Sequence, residues 1–223
     1  MSDSATIQLN YPPAQVLAGS RRCQVLAAIK QPNVVVLDQF LDAVACQALI
    51  DLARPRMKRS SVVHHLDGIR VDDSRTSSGC HFQRGELPVV ADIEQRIADL
   101  TGIPVENGEG LQVLNYQPGQ HYVPHWDYFP PESSPSADIV RPEKGGQRIA
   151  TFLIYLNTVP MGGETEFPSA GVKVAAVQGN ACFFSYCDAE GRLDPRTLHS
   201  GNAVIEGDKW IAVKWLREGR VPV

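Results

Sequence analysis

Two histidines and one aspartate are the residues whose types and spacing could hold a metal ion. His125 and Asp127 lie in the stretch Val123-Pro-His-Trp-Asp127. On an extended strand, alternate side chains point to the same face, so these two would project together, about 6.5 Å apart along the backbone. His199, in Thr197-Leu-His-Ser-Gly201, is the candidate for the third ligand. The three residues predict one metal site if separate parts of the chain converge.

A lysine near the third ligand suggests what else would bind there. Two imidazoles and one carboxylate on one face of an octahedron are typical of non-haem Fe(II) sites, whose other positions stay open. Lys209 follows His199 by ten positions and shares a strand face with Ile211 and Val213, so we expect it to face inward. A buried acidic cosubstrate needs such a cation, because an unpaired buried charge is costly. Each residue alone has an ordinary structural explanation, and only the combination predicts a site.

The composition is that of an ordinary soluble globular protein. The chain has 223 residues, a net charge of −4 and a pI of about 5.9. This balance argues against a nucleic-acid groove, which needs clustered Lys and Arg. We expect no membrane span, because no run of about 18 apolar residues occurs. The N-terminus has no basic start followed by an apolar core, which argues against a secretory signal. Five irregularly spaced cysteines indicate reduced thiols, so we expect a cytoplasmic protein. Whether Cys182 and Cys187 pair is left open.

The first part of the chain has few regular patterns. Residues 1–32 lack a clear period, and we expect a loose N-terminal arm with a short helix near residues 21–29. A β-branched run at residues 33–37 predicts the first strand. Residues 33–108 are expected to supply helical support and substrate-side strands, and residues 109–223 the catalytic core of the same domain.

Two amphipathic segments precede this core and predict helices. The first is expected over residues 43–53, with Asp42 as its N-cap. The second is expected over residues 87–100. Pro88 lies near its start and Gly102 follows its end, which is the usual asymmetry of helix termini.

The pattern after residue 109 changes to short strands separated by Gly, Pro and Asn turn signals. The predicted strands are at residues 110–116, 121–127, 148–157, 163–167, 172–177, 181–186, 197–199 and 209–217. Many short strands after a pair of helices favour an α+β chain whose β part is a double-sheet jelly roll. Residues 130–147 are rich in Pro, Ser and Glu and are expected to form a mobile surface loop beside the site.

Five stretches share their order and spacing with one known family. They are Leu114–Asp127, Arg148–Leu156, Gly162–Pro168, Thr197–Gly201 and Gly207–Trp215. In these stretches the chain resembles the catalytic domain of the prolyl 4-hydroxylase family of Fe(II)/2-oxoglutarate dioxygenases, and weaker matches extend the resemblance to residues 33–217. The resemblance implies a double-stranded β-helix, or jelly roll, buttressed by N-terminal helices.

The resemblance also implies an activity and a set of site residues. Fe(II) would bind His125, Asp127 and His199. The 2-oxoglutarate tail would bind Lys209, with hydrogen bonds from Tyr116 and Thr151. The residues implied to contact a proline-containing peptide or protein are Tyr122, Trp126, Trp215, Arg75, Ser78 and Glu109. The implied reaction is 4-hydroxylation of peptidyl proline, with consumption of O2, decarboxylation of 2-oxoglutarate to succinate and CO2, and ascorbate as the reductant.

Two other functions fit the same residues. The same centre could hydroxylate a free amino acid or another small molecule, for which we expect a closed pocket and not an open groove. A jelly-roll module that kept its metal ligands but lost turnover is the non-enzymatic alternative, and the presence of all three ligands and Lys209 counts against it. We expect neither nucleic acid nor a membrane as a partner, and a homodimer is compatible with the sequence.

Overall fold

The computed structural model describes residues 12–60, 62–64, 68–70, 73–131, 134–187 and 191–222. Its strands in chain order are β1 (Gln15–Ala18), β2 (Arg21–Ile29), β3 (Asn33–Leu37), β4 (Lys58–Arg59), β5 (Val62–His64), β6 (Gly68–Arg70), β7 (Ser78–Phe82), β8 (Leu111–Tyr116), β9 (Tyr122–His125), β10 (Arg148–Tyr155), β11 (Met161–Gly162), β12 (Thr165–Phe167), β13 (Val172–Val174), β14 (Ala181–Ser185), β15 (His199–Gly201), β16 (Val204–Glu206) and β17 (Lys209–Arg217). Its α-helices are α1 (Ala43–Ala53), α2 (Pro88–Thr101) and α3 (Ser134–Ile139).

Two antiparallel sheets form the body of the described protein. The major sheet has nine strands in the order β1-β2-β3-β14-β10-β17-β8-β7-β4. The minor sheet has four strands in the order β13-β12-β15-β9. Two further strand pairs, β5–β6 and β11–β16, lie outside these sheets. Several neighbours, such as β3 with β14 and β15 with β9, are distant in sequence, which is the crossing connectivity of a jelly roll.

Alternation along the major sheet produces two separate cores. On β3, Val35 packs in a cluster with residues of α1 and α2, whereas Val34 and Val36 pack in a cluster with minor-sheet residues. Phe152 and Leu153 on β10 divide in the same way. Because successive strand residues point to opposite faces, one sheet supports a helix-side core and an inter-sheet core. The predicted site lies between the sheets.

The two long helices begin and end as their capping residues predict. The Asp42 side chain accepts a hydrogen bond from the Ala45 N–H at 2.8 Å, which starts α1 at the predicted residue. Gly102 follows α2 with a φ of 68°, and its N–H donates to the Ala98 carbonyl at 2.8 Å. Among the described residues, no helix has the length and apolar character needed to cross a bilayer.

Several expectations about local structure need correction or comment. The helix predicted near residues 21–29 is wrong, because these residues form β2, and the loose arm is wrong for residues 15–29, where β1 and β2 extend the major sheet through β3. Residues 1–11 lie outside the described residues, and the boundaries at 33 and 109 stay predictions. The 130–147 loop contains α3 and a 3-10 turn, Pro142–Lys144. No disulfide joins Cys182 to Cys187.

Candidate metal centre

Pairing between β9 and β15 brings the two predicted histidine ligands side by side. His125 lies opposite His199 in the antiparallel register, and their ring centroids are 4.3 Å apart. Asp127 lies two residues beyond the end of β9. Its Oδ1 lies 3.7 Å from the His125 Nε2, and its Oδ2 lies 3.6 Å from the His199 Nε2. Ligand atoms of all three residues therefore lie within 4.8 Å of one another.

These donors fit a divalent ion bound by two nitrogens and one oxygen. Bonds of about 2.1 Å at right angles place neighbouring donors about 3 Å apart, so only a small contraction is needed. The His125 Nδ1 lies 2.8 Å from the Val123 carbonyl oxygen. In the same way, the His199 Nδ1 lies 3.0 Å from the Thr197 carbonyl oxygen. If each Nδ1–H donates to its carbonyl, both Nε2 lone pairs are directed to the metal.

The surroundings keep the ligands in the protonation states that metal binding requires. The Thr151 hydroxyl donates to the Asp127 Oδ2 at 2.6 Å. Burial by itself would raise the pKa of Asp127, but the two imidazoles, the Arg148 guanidinium and the Thr151 hydroxyl outweigh it and lower this pKa to about 2. Burial, assisted by the His199 ring, lowers the pKa of His125 to about 3. The site therefore offers a carboxylate and a neutral His125 ring at neutral pH.

Aromatic rings hold the two imidazoles in place. Tyr122 stacks on His125 with ring centroids 3.6 Å apart and an interplanar angle of 19°. His199 meets the edge of Phe184 at 4.7 Å and lies 5.7 Å from Phe167. These contacts restrict ring rotation and surround the ligands with apolar surface. Such a shell fixes the direction of each Nε2 before a metal binds.

Lys209 places a buried ammonium group near the triad. It is 2% exposed and opens β17 opposite Tyr116. Its Nζ lies 5.6 Å from the Tyr116 ring centroid and 5.9 Å from that of Tyr155, and Lys209 forms no ion pair with any described residue. Burial lowers the pKa of Lys209 to about 8, although Glu164 acts in the opposite direction. A buried cation in this position suits an anionic ligand.

A cavity beside the triad is lined by six other residues that the sequence had singled out. They are Arg75, Tyr116, Tyr122, Thr151, Lys209 and Trp215. The Arg75 guanidinium lies 5.0 Å from the Tyr122 ring centroid and donates to the Gln112 Oε1 at 3.0 Å. The Trp215 Nε1 is buried and has no hydrogen-bond partner among the described residues. The cavity thus has donors at its wall, and the individual roles of these residues stay predictions.

Two predicted substrate residues lie away from this cavity, because alternation along a strand turns them outward. Trp126 lies between two ligands, so its side chain points away from them; its Nε1 donates to the Pro195 carbonyl at 2.9 Å. Ser78 pairs with Asn115, whose side chain lies on the opposite face of β8 from Tyr116. The structure does not bring Trp126 or Ser78 into the cavity, and substrate contacts by either stay untested.

Glu109, a third predicted substrate residue, is held by arginines. Arg148 donates to both carboxylate oxygens, at 2.7 and 2.8 Å, and the Arg217 Nε lies 2.8 Å from the Oε1. Arg148 is a site residue that the sequence did not single out. Its Nη1 also donates to the Asp127 carbonyl at 3.1 Å, and its guanidinium lies 3.9 Å from the Trp215 ring centroid. Arg148 is the first residue of one of the five stretches that resemble the family. Its contacts with Glu109, Asp127 and Trp215 depend on packing that no motif specifies.

A jelly roll with a His-Asp-His triad and a buried lysine defines the class of Fe(II)- and 2-oxoglutarate-dependent oxygenases. Residues 111–217 match the family model described as 2OG-Fe(II) oxygenase superfamily. Probable prolyl 4-hydroxylase 10 of Arabidopsis thaliana is 43% identical over 207 residues, which cover 84% of this chain and 69% of that protein. Prolyl 4-hydroxylase 5 of the same plant is 43% identical over 205 residues, 83% of this chain and 68% of that protein.

Solved structures agree with these sequence relatives. The viral collagen prolyl hydroxylase of Paramecium bursaria Chlorella virus-1, in its 2OG complex, is 30% identical with a TM-score of 0.65, covering 82% of this chain and 95% of that chain. A Trichoplax adhaerens prolyl hydroxylase is 16% identical with a TM-score of 0.59, covering 83% of each chain, a likeness of fold alone. The chain belongs to the prolyl 4-hydroxylase family of 2OG-Fe(II) oxygenases. The predicted family, jelly-roll fold and enzyme class are confirmed.

Proposed function

We propose that this chain hydroxylates the 4-position of proline residues within a peptide or protein and converts 2-oxoglutarate to succinate and CO2. The observation that carries the proposal is the convergence of three metal ligands and a buried lysine on one cavity. Relatives that are 43% identical and are named prolyl 4-hydroxylases support the choice of proline. Bound Fe(II) supplies the activation of O2 that this reaction needs.

The protein's own residues bind and orient the reacting groups. His125, Asp127 and His199 would hold Fe(II) on one side and leave the other side open. The Thr151 hydroxyl fixes the Asp127 carboxylate through its 2.6 Å hydrogen bond. Lys209 would pair with the far carboxylate of 2-oxoglutarate, because its ammonium is buried without a carboxylate bound to it among the described residues.

The wall of the cavity supplies groups for a peptide. Arg75 and Tyr122 form an isolated backbone bridge, so both side chains enter the cavity from one corner. Trp215 adds an indole N–H that can donate to a peptide carbonyl. Hydrogen-bond donors beside aromatic rings suit a proline, whose ring is apolar and whose flanking peptide groups are polar. We therefore prefer a peptidyl substrate to a free amino acid.

The proposal extends to finer points that the sequence suggested. It includes ascorbate as the reductant, the cytoplasm as the location and a homodimer as an allowed assembly, and it includes neither nucleic acid nor a membrane as a partner. Turnover with and without ascorbate, fractionation of host cells and the mass of the protein in solution test these points separately.

Mass spectrometry of proline peptides tests the central reaction. The protein is incubated with Fe(II), 2-oxoglutarate, ascorbate and a panel of proline-containing peptides, and both succinate and peptide mass are measured. We expect one added oxygen on proline and one succinate for each hydroxylation, with neither product from the His199→Ala variant. Oxygen added to free proline but to no peptide would favour the small-molecule alternative. Absence of both products from the wild-type protein would contradict the proposed function.

A further inference from the structure

A second cavity, the basic groove, opens at the β4 edge of the major sheet. It has a volume of about 560 Å³, and its described lining includes Arg56, Lys58, Arg59, His81 and Gln112. Its three cations contrast with the net charge of −4 of the whole chain. No described residue that lines the groove is acidic. The groove is therefore a local concentration of positive charge on an acidic protein.

Strand register places this groove on the same face of the major sheet as the metal cavity. Gln112 and Leu114 are alternate residues of β8 and share a face, and Leu114 lines the metal cavity. On β7, His81 lies opposite Gln112, and Gly79 lies opposite Leu114. On β4, Lys58 lies opposite Gly79. One continuous surface thus runs from the metal cavity over β8 and β7 to Lys58 of β4, while Arg59 lines the groove from the edge of the sheet.

One side-chain pair forms the wall that the two cavities share. Arg75 lines the metal cavity, Gln112 lines the groove, and the Arg75 Nη2 donates to the Gln112 Oε1 at 3.0 Å. The metal ligand Asp127 is held by Thr151 of β10, and β4 lies four strands away from β10. Neighbouring strands are about 4.8 Å apart, so this span is roughly 20 Å. An extended peptide rises about 3.3 Å per residue and covers this distance in about six residues. A peptide with its proline at the metal could therefore reach the groove.

The three cations differ in how far the protein itself neutralises them. Arg56 donates to Glu86 at 2.7 Å, and the Arg59 Nη2 lies 3.6 Å from Asp73. Lys58 is exposed and forms no ion pair with any described residue. An ammonium group in this position is available to an external carboxylate. Replacing Lys58 therefore breaks no side-chain hydrogen bond or ion pair among the described residues.

We propose that the basic groove selects peptide substrates that carry acidic residues about six positions from the target proline. This inference rests on the proposed function and names the substrate class of the same site. Because the groove is continuous with the metal cavity, we favour acidic residues of the peptide substrate itself, and not an unrelated anion, as the ligand of the groove. Carboxylates of the peptide lie against Lys58 and the partly neutralised Arg59, while proline occupies the metal cavity.

Binding of matched peptides to the full-length protein tests the inference without requiring turnover. Fluorescent peptides share one proline and carry Glu-Glu, Gln-Gln or Lys-Lys six and seven positions before or after it. Anisotropy gives Kd, and mass spectrometry gives kcat/KM for the same peptides. Two exposed ion pairs predict about three- to tenfold tighter binding of one Glu-Glu peptide than of its Gln-Gln counterpart, decreasing at high salt.

Two charge-reversal variants distinguish the effect of the groove from the effect of the protein's overall charge. Lys58→Glu should abolish or reverse the preference for the acidic peptide while the Kd of the Gln-Gln peptide changes less than twofold. Arg22→Glu is the matched control, because Arg22 is exposed on β2, near the other edge of the major sheet. It should leave the preference unchanged. Thermal melts of both variants verify that the fold is retained.

Several results would overturn the inference. Equal binding of acidic and neutral peptides by the wild-type protein would do so, as would equal loss of preference in Lys58→Glu and Arg22→Glu. A single-stranded oligonucleotide of the same charge that binds at least as tightly as the acidic peptide would show a general polyanion site. Failure to hydroxylate any peptide, the Gln-Gln peptide included, would contradict the proposed function, whereas the anisotropy comparison would still decide the charge preference.

Discussion

Replacing Lys209 by methionine should change stability and ligand affinity in opposite directions. Lys209 is 2% exposed, and burial lowers its pKa from the ordinary 10.5 to about 8. One pKa unit corresponds to about 1.4 kcal/mol, so the buried charge costs the cofactor-free protein roughly 3 kcal/mol at pH 7. Lys209→Met keeps the length of the side chain and removes the charge. We expect the cofactor-free variant to be more stable by up to about 3 kcal/mol.

The same change should weaken 2-oxoglutarate binding severely. It leaves the far carboxylate of the ligand buried without its partner, which costs about 3–5 kcal/mol. The Kd for 2-oxoglutarate should therefore rise more than about a hundredfold. Urea unfolding measures the stability, and calorimetric titration of the anaerobic Fe(II) protein measures the affinity. Lys173→Met is the control, since the Lys173 side chain is 58% exposed and should change neither value appreciably.

The pH dependence of the free energy of unfolding gives an independent test of the burial of Lys209. The folded pKa of Lys209 lies below the unfolded one, so between pH 8 and 10.5 the unfolded chain binds more protons. The contribution of Lys209 to stability therefore rises with pH through this window. The advantage of Lys209→Met should shrink from pH 8 to 10.5. A variant that is no more stable than wild type and binds 2-oxoglutarate only twofold more weakly would refute the assignment of Lys209 as a buried cation.

Three further substitutions test other contacts. His125→Ala should abolish Fe(II) binding in calorimetry while changing the Tm little; retained stoichiometric binding would contradict its assignment as a ligand. Thr151→Val removes the hydrogen bond to Asp127 and should weaken Fe(II) binding about 10- to 100-fold, and an unchanged Kd would count against this role. Lys214→Met leaves the Glu94 carboxylate buried and unpaired and should cost about 3–5 kcal/mol in urea unfolding. Adding Glu94→Leu should recover most of that loss, and a double variant as unstable as the single one would argue against the pair.

Local patterns in the sequence predicted much of the fold. The α1 boundaries at residues 43 and 53 match the prediction, because Asp42 caps one end and Pro55 lies beyond the other. The strands around residues 111–116 and 209–217 were predicted from β-rich runs bounded by turn residues. In each case the signal lies within a few residues of the element it specifies. Prediction succeeds where the local preference and the final packing agree.

The prediction failed where structure depends on a distant partner. Strand β2 has only one fully buried residue, Cys23, so its sequence lacks the clean alternation of a half-buried strand. Pairing with β3, through contacts such as Ile29 with Val34, selects the extended form. The position of Ser78 outside the metal cavity could not be predicted for a related reason. The face it occupies follows from its register with Asn115, and no motif encodes register.

Register is also what turns the three predicted ligands into a site. His199 and His125 are neighbours only because β15 pairs with β9 in one alignment. A slip of one residue would rotate every side chain of β15 to the other face and direct His199 away from Asp127. The packing of His199 against Phe184 and the pairing of β15 with β12 both oppose such a slip. The motif therefore supplies the ligand types, and the closure of the minor sheet against the inter-sheet core supplies their geometry.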